Sequence, residues 1–190
     1  MKVHQLSVTY LGEQDRVLVR INTTEAEELR LWFTRRLTLG LWPLLNKVLT
    51  EQLVKLEASV TSGTGADEDM KAMLADFRKQ EFLQQADFDT PYNEKQNSLP
   101  LGEDPLLVTD VSITPLPGSM VRLDFVEKPP GDGAPRSFQL ELDPQLMQGL
   151  LHLTRQALVQ ADWQVPQAVA TPAEPEAPDD PSQGRPRYLN

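Results

Sequence analysis

The chain repeats one pattern, and that repetition constrains its fold more than any other feature. In the first half, Leu6, Val8 and Tyr10 alternate with polar residues and a turn-prone GEQD follows. Val17, Val19 and Ile21 then alternate, and after a polar TTEAEE so do Leu29, Leu31 and Phe33. Period-two alternation marks strands with one buried face. Beyond Phe33 the period changes. Leu37, Leu41, Leu44 and Val48 form one helical line, with Leu45, Leu49, Leu53 and Leu56 beside it. The second half has the same order: Val111 and Ile113, the turn PLPGS, then Val121, Leu123 and Phe125. A long EKPPGDGAPR loop leads to Phe138, Leu140 and Leu142. A helix begins at Asp143-Pro144, where Asp suits the N-cap and Pro the first helical position.

From third strand into helix the two halves keep register at an offset of 109 residues. Leu29 falls on Phe138, Phe33 on Leu142, Thr34 on Asp143, Leu37 on Leu146, Gly40 on Gly149 and Leu44 on Leu153. The earlier strands match at offsets of 104 to 105, the longer second loop absorbing the difference. This predicts an α+β fold of two β-β-β-α pseudo-repeats, their edges joined into one six-stranded antiparallel sheet with helices packed on one face. A glycine inside a helix costs roughly 1 kcal/mol relative to alanine. The matched Gly40 and Gly149 therefore predict close approach of helix to helix or helix to sheet. The element order resembles that of the PUR and Whirly single-strand binders and of the SecB chaperones. No motif accompanies the order, so the resemblance implies no residue roles.

The units span 1–57 and 106–163, with 1–163 expected to form one compact domain. Between them, residues 58–105 read as an acidic linker with a central amphipathic helix, on which Met70, Met73, Leu74 and Phe77 recur at helical spacing. Residues 164–190 hold six prolines and few large apolar side chains, the composition of a disordered tail. The formal charge of −10 divides into +1 for residues 1–60, −6 for 61–105, −3 for 106–165 and −2 beyond. Such acidity repels phosphate backbones at long range and so disfavours general nucleic-acid binding.

The absence of cysteine excludes disulfides, thiolate zinc sites, iron–sulfur clusters and a cysteine nucleophile. No apolar run approaches the roughly 18 to 20 residues that span a bilayer, and the N-terminus lacks the apolar core of a signal peptide. These features predict a cytoplasmic protein without a membrane partner. The only histidines are His4 and His152, and no HExxH, CxxC, GxGxxG or P-loop motif occurs. The acidic GTGADED lacks the spacing of an EF-hand loop. The sequence therefore predicts a non-enzymatic protein with no cofactor and no metal.

Its function is expected to be protein binding, as an adaptor engaging an unidentified partner. Candidate partner-binding residues are Trp42, Met70, Met73 and Phe77, together with Tyr188 and Leu189 in the closing GRPRYLN. Open sheet edges also fit a homodimer. The alternative is a single-stranded nucleic-acid binder in which Arg16, Arg20 and Arg30 line the outer sheet face beside Trp32. In TRRLTLGLWPLL, Pro43 predicts a bend near Leu39–Pro43 that turns Trp42 toward the other helix or a second subunit. Arg35 and Arg36 oppose the dipole at a helix N-terminus, which predicts a carboxylate partner among Glu25, Glu27 and Glu28.

Overall fold

Each alternating segment forms a strand in the structure, a computed structural model that describes residues 2–60, 68–88, 90–93, 98–131 and 133–164. Strands β1 (Val3–Leu11), β2 (Arg16–Thr23) and β3 (Glu28–Thr34) lead into helix α1 (Arg35–Val60). Helix α2 (Glu68–Gln85) follows, then the two-residue strand β4 (Leu106–Leu107). Strands β5 (Asp110–Pro115), β6 (Val121–Glu127) and β7 (Arg136–Leu142) precede helix α3 (Pro144–Gln160). The fold is α+β, and the order β-β-β-α occurs twice in it. The Pro-rich tail lies outside the described residues.

The strands form two sheets rather than the single six-stranded sheet that the alternation predicted. One has the order β1-β2-β3-β4 and the other β5-β6-β7. The cause is β4, which pairs in parallel with β3, Leu31 opposite Leu106, and occupies the edge that a joined sheet would need. Leu106 is fully buried there. The chain changes sheets between adjacent residues: the Val108 amide donates to the Trp32 carbonyl at 3.1 Å, and the Thr109 amide to the Val126 carbonyl at 2.8 Å.

Both sheets contribute to one core. Val17, Val19 and Ile21 of the first sheet are buried with Leu123, Phe125 and Leu140 of the second. Phe33 meets Phe125 across the sheets at 5.7 Å between ring centroids. Helix α1 contributes Leu41, Leu45, Leu49 and Leu53, a line of four-residue steps, while Leu44 on the neighbouring line is 53% exposed. Helix α3 contributes Met147, Leu150, Leu151 and Leu158. It lies mainly along β1 of the first half rather than on β7, which precedes it in the chain. At its end, Trp163 is buried edge-on against Tyr10 at 5.4 Å between centroids. The Trp163 indole N–H and the Tyr10 hydroxyl both donate to Asp15 Oδ1, at 3.3 and 2.9 Å.

The helix starts match in chemistry as well as register. Thr34 Oγ1 accepts from the Leu37 amide at 3.3 Å, and Asp143 Oδ1 accepts from the Leu146 amide at 2.8 Å. The glycines do not behave as predicted. A Cβ on Gly40 or Gly149 would meet no atom within 4 Å, so neither marks a close approach. Arg35 and Arg36 are exposed, and among the described residues neither makes an ion pair; of the expected partners, Glu28 turns back to Arg30 at 2.8 Å. Helix α1 is continuous through Pro43. Trp42 is half-buried and faces Leu150 and Thr154 of α3 across a void of about 10 Å³, the direction the sequence suggested.

Two outcomes follow. Gly40→Ala and Gly149→Ala should each stabilise the protein by roughly 0.5–1 kcal/mol in urea unfolding, since alanine adds helix propensity without a clash; destabilisation at either site would restore the close-approach reading. The Tyr10 hydroxyl, donating to the Asp15 carboxylate, has its pKa raised above the ordinary 10.0. Its contribution is complete below pH 10 and is lost as pH rises through the raised value, where the phenolate would face a carboxylate. Thermal melts should therefore show an alkaline loss of stability that Tyr10→Phe reduces.

Candidate functional site

Helix α2 presents three of its large apolar side chains to solvent and ties two of its cations, Arg78 and Lys79, to α1. Met70, Met73 and Phe77, spaced to share one face, are 54%, 71% and 63% exposed. Half-buried Leu74 borders this row, and the far side carries half-buried Phe82 and buried Ala75, but also Arg78 and Lys79. Arg78 Nε donates to Glu57 Oε1 of α1 at 2.9 Å, and its Nη1 to Glu81 at 2.8 Å. Lys79 Nζ donates to Thr50 Oγ1 of α1 at 2.8 Å and to Asp76 at 2.9 Å. The Glu57 side chain is only 8% exposed. These two carboxylates raise the Arg78 pKa, Glu57 most strongly.

An ordinary surface helix has the reverse arrangement, an apolar stripe inward and charge outward. Three large apolar side chains in one exposed row of α2 form the surface best suited to cover by another molecule. Trp42 is not part of it: it faces α3 and lines a surface pocket together with Asn46, Thr50 and Lys79. Tyr188 and Leu189 lie outside the described residues.

The structure does bring the arginines of the alternative site onto one sheet face. Arg20 lies opposite Arg30, Leu18 opposite Trp32, and Arg16 opposite Thr34. The chain's own connection already occupies much of that face. The Arg20 guanidinium sits 4.4 Å from the centroid of the Tyr92 ring, and the Tyr92 hydroxyl donates to Asn22 Oδ1 at 2.8 Å. Asn22 Nδ2 donates to the Asn93 carbonyl, and the Asn93 amide to Gln5 Oε1, each at 3.0 Å. Arg30 is held by the buried Glu28. Trp32 is half-buried, its carbonyl engaged by Val108.

The histidines are apart from both surfaces. His4 is exposed, and half-buried His152 rests against the Phe88 ring at 4.8 Å between centroids. Among the described residues, no group of three His, Asp or Glu side chains could hold a metal ion, and no helix is long and apolar enough to cross a membrane. Sequence spacing did not reveal the Arg78–Glu57 contact, since the partners are 21 residues apart on different helices. In comparisons with known proteins, no family model, curated protein or solved structure matches the chain. The resemblance in element order to single-strand binders and SecB chaperones therefore has no matched structure behind it.

The inverted helix makes a specific demand on stability. Arg78→Ala leaves the Glu57 carboxylate buried without its guanidinium and should lower the melting temperature. Met73→Ala should leave it nearly unchanged, as exposed truncations usually do. The reverse order in thermal melts would mean that α2 is held by its methionine face.

Proposed function

We propose that this protein is a non-enzymatic adaptor that binds another protein through the outer face of α2. The observation that carries the reading is the exposed row of Met70, Met73 and Phe77 on a helix whose inner face is tied down by Arg78 and Lys79. Methionine and phenylalanine make adaptable apolar contacts, and a helix anchored on its opposite side offers them at low entropic cost. The reading places the protein in the cytoplasm, in keeping with its cysteine-free composition.

Single-stranded nucleic-acid binding by Arg16, Arg20, Arg30 and Trp32 has less support. Tyr92 lies on Arg20, Glu28 holds Arg30, and the chain's net charge is −10.

The test is affinity purification from the native cell with three baits: the full chain, the chain ending at Gln164, and the full chain with Met73→Asp and Phe77→Asp. The expected result is a reproducible partner recovered by the first two baits and lost with the third, whose melting temperature stays near that of the parent. Recovery unchanged by the double substitution, or no reproducible partner with any bait, would refute the reading. The nucleic-acid alternative requires salt-dependent binding of a labelled single-stranded oligonucleotide, lost in Arg20→Ala and Arg30→Ala; no binding at low salt is the expected outcome.

A further inference from the structure

Two grooves flank the core, each between a helix and the outermost strand of a sheet. The first, of about 610 Å³, is walled by five consecutive residues from Lys2 to Leu6, where β1 begins, and by Leu146, Gly149 and Leu153 of α3. The second, of about 380 Å³, is walled by the five residues from Leu107 to Val111, where β5 begins, and by Leu37, Gly40 and Leu44 of α1. The strand walls differ by 105 positions and the helix walls by 109, the offsets at which the two halves of the sequence match. In each groove the strand comes from one half of the chain and the helix from the other. This correspondence gives the paired glycines a different meaning. With no atom within 4 Å of a Cβ at either position, the missing side chains leave room in the grooves.

The first groove has the edge that invites a partner strand. Sheet edges in proteins are usually guarded by charge, proline or shortness. Here β5 has Asp110 and Pro115, β7 has Arg136 and Glu141, and β4 is two residues long. β1 runs for nine residues with no Lys, Arg, Asp, Glu or Pro, its one irregularity being a register shift against β2 between Val3 and Gln5. Among the described residues, β2 is the only strand it pairs with.

We propose that the groove between β1 and α3 binds an extended peptide segment of a partner protein, added as a strand to the edge of β1. The segment is uncharged where it pairs. Its alternate side chains are apolar, meeting Leu6, Leu146 and Leu153, and the others are uncharged, lying beside Gln5, already bonded to Pro91 and Asn93, and Thr90, already bonded to Asp87. The route of the chain between Gln85 and Asn93 selects a peptide over a second copy of the protein. Of its described residues, Gln85–Phe88 and Thr90 line the groove, and Tyr92 lies over Arg20 on the outer sheet face. The groove beside Lys2–Leu6 is bounded by α3 and by Phe88, Thr90 and Tyr92, walls that a lone peptide can enter between and that the faces of a second sheet would meet. The volume lies within the roughly 300–1,000 Å³ common for ligand sites. This inference is independent of the α2 surface.

The test uses a phage-displayed random heptapeptide library panned against the full chain, with the best peptide then synthesised. The peptides should converge on an uncharged pattern with apolar residues at alternate positions. N-methylation of the peptide backbone should weaken binding at least tenfold at every second residue and no more than about twofold at those between, since only alternate amides face the neighbouring strand. Gly149→Trp, which fills the groove, should weaken binding at least tenfold. Gly40→Trp, the same change in the second groove, and the Met73→Asp, Phe77→Asp variant should leave it within about twofold. The N-methyl series uses the unaltered protein, so it decides the matter even if Gly149→Trp fails to fold. No enriched pattern, no alternation in the N-methyl series, or full binding by folded Gly149→Trp would overturn the proposal.

Discussion

The structure depends on α3 lying along β1 rather than on the strand that precedes it. A three-stranded meander has an apolar face that one helix of its own cannot fully cover, and a sheet that small is marginal by itself. Seating the last helix on the first strand joins the ends of the described chain across one core. Trp163 fixes the seat by packing edge-on to Tyr10 and sharing the Asp15 carboxylate with it. The aromatic contact of Phe33 with Phe125 joins the sheets at the centre. Burying side chains such as these is worth roughly 1.5–3 kcal/mol each, and both halves must be folded for either to gain it.

The same arrangement explains the two exposed features. Once α1 and α3 have been taken up by the sheets, α2 has only the backs of these helices to rest on. It docks with Leu74, Ala75 and Phe82 supported by Arg78 and Lys79, which leaves its other apolar row outside. The seat of α3 on β1, with the start of α1 beside Leu107–Val111, likewise places each helix start next to the opening strand of the other half. The grooves lie at those two junctions, with a glycine on the helix side of each.

Much of this was legible in the sequence, and the losses have physical causes. Alternation located the six longer strands, and the shared offset of Thr34 and Asp143 located both caps because capping depends on local chemistry alone. The pairing between strands was less accessible. β4 is two residues long, too short to leave a period, yet it occupies the edge of β3 and so divides the predicted sheet in two. Gly40 and Gly149 were rightly singled out, but a glycine signals that a side chain is missing without saying whether backbone or empty space lies beyond. For α2, helical spacing gave the row of Met70, Met73 and Phe77. Which side of the helix faces the core is set by tertiary contacts, the burial of Ala75 and Phe82 and the pair of Arg78 with Glu57 of another helix, which spacing alone does not show.

The central claim is that both halves form one cooperative unit through α3 seated on β1 and the core shared by the two sheets. Native-state amide hydrogen exchange, compared with urea unfolding under the same conditions, tests it most directly. The account predicts that the buried amides of Val17–Ile21 in β2 and of Leu123–Phe125 in β6 exchange with one free energy, equal to that of global unfolding. If one sheet opened at a free energy lower than the other by more than about 2 kcal/mol, the halves would be separate folding units and the account would be contradicted.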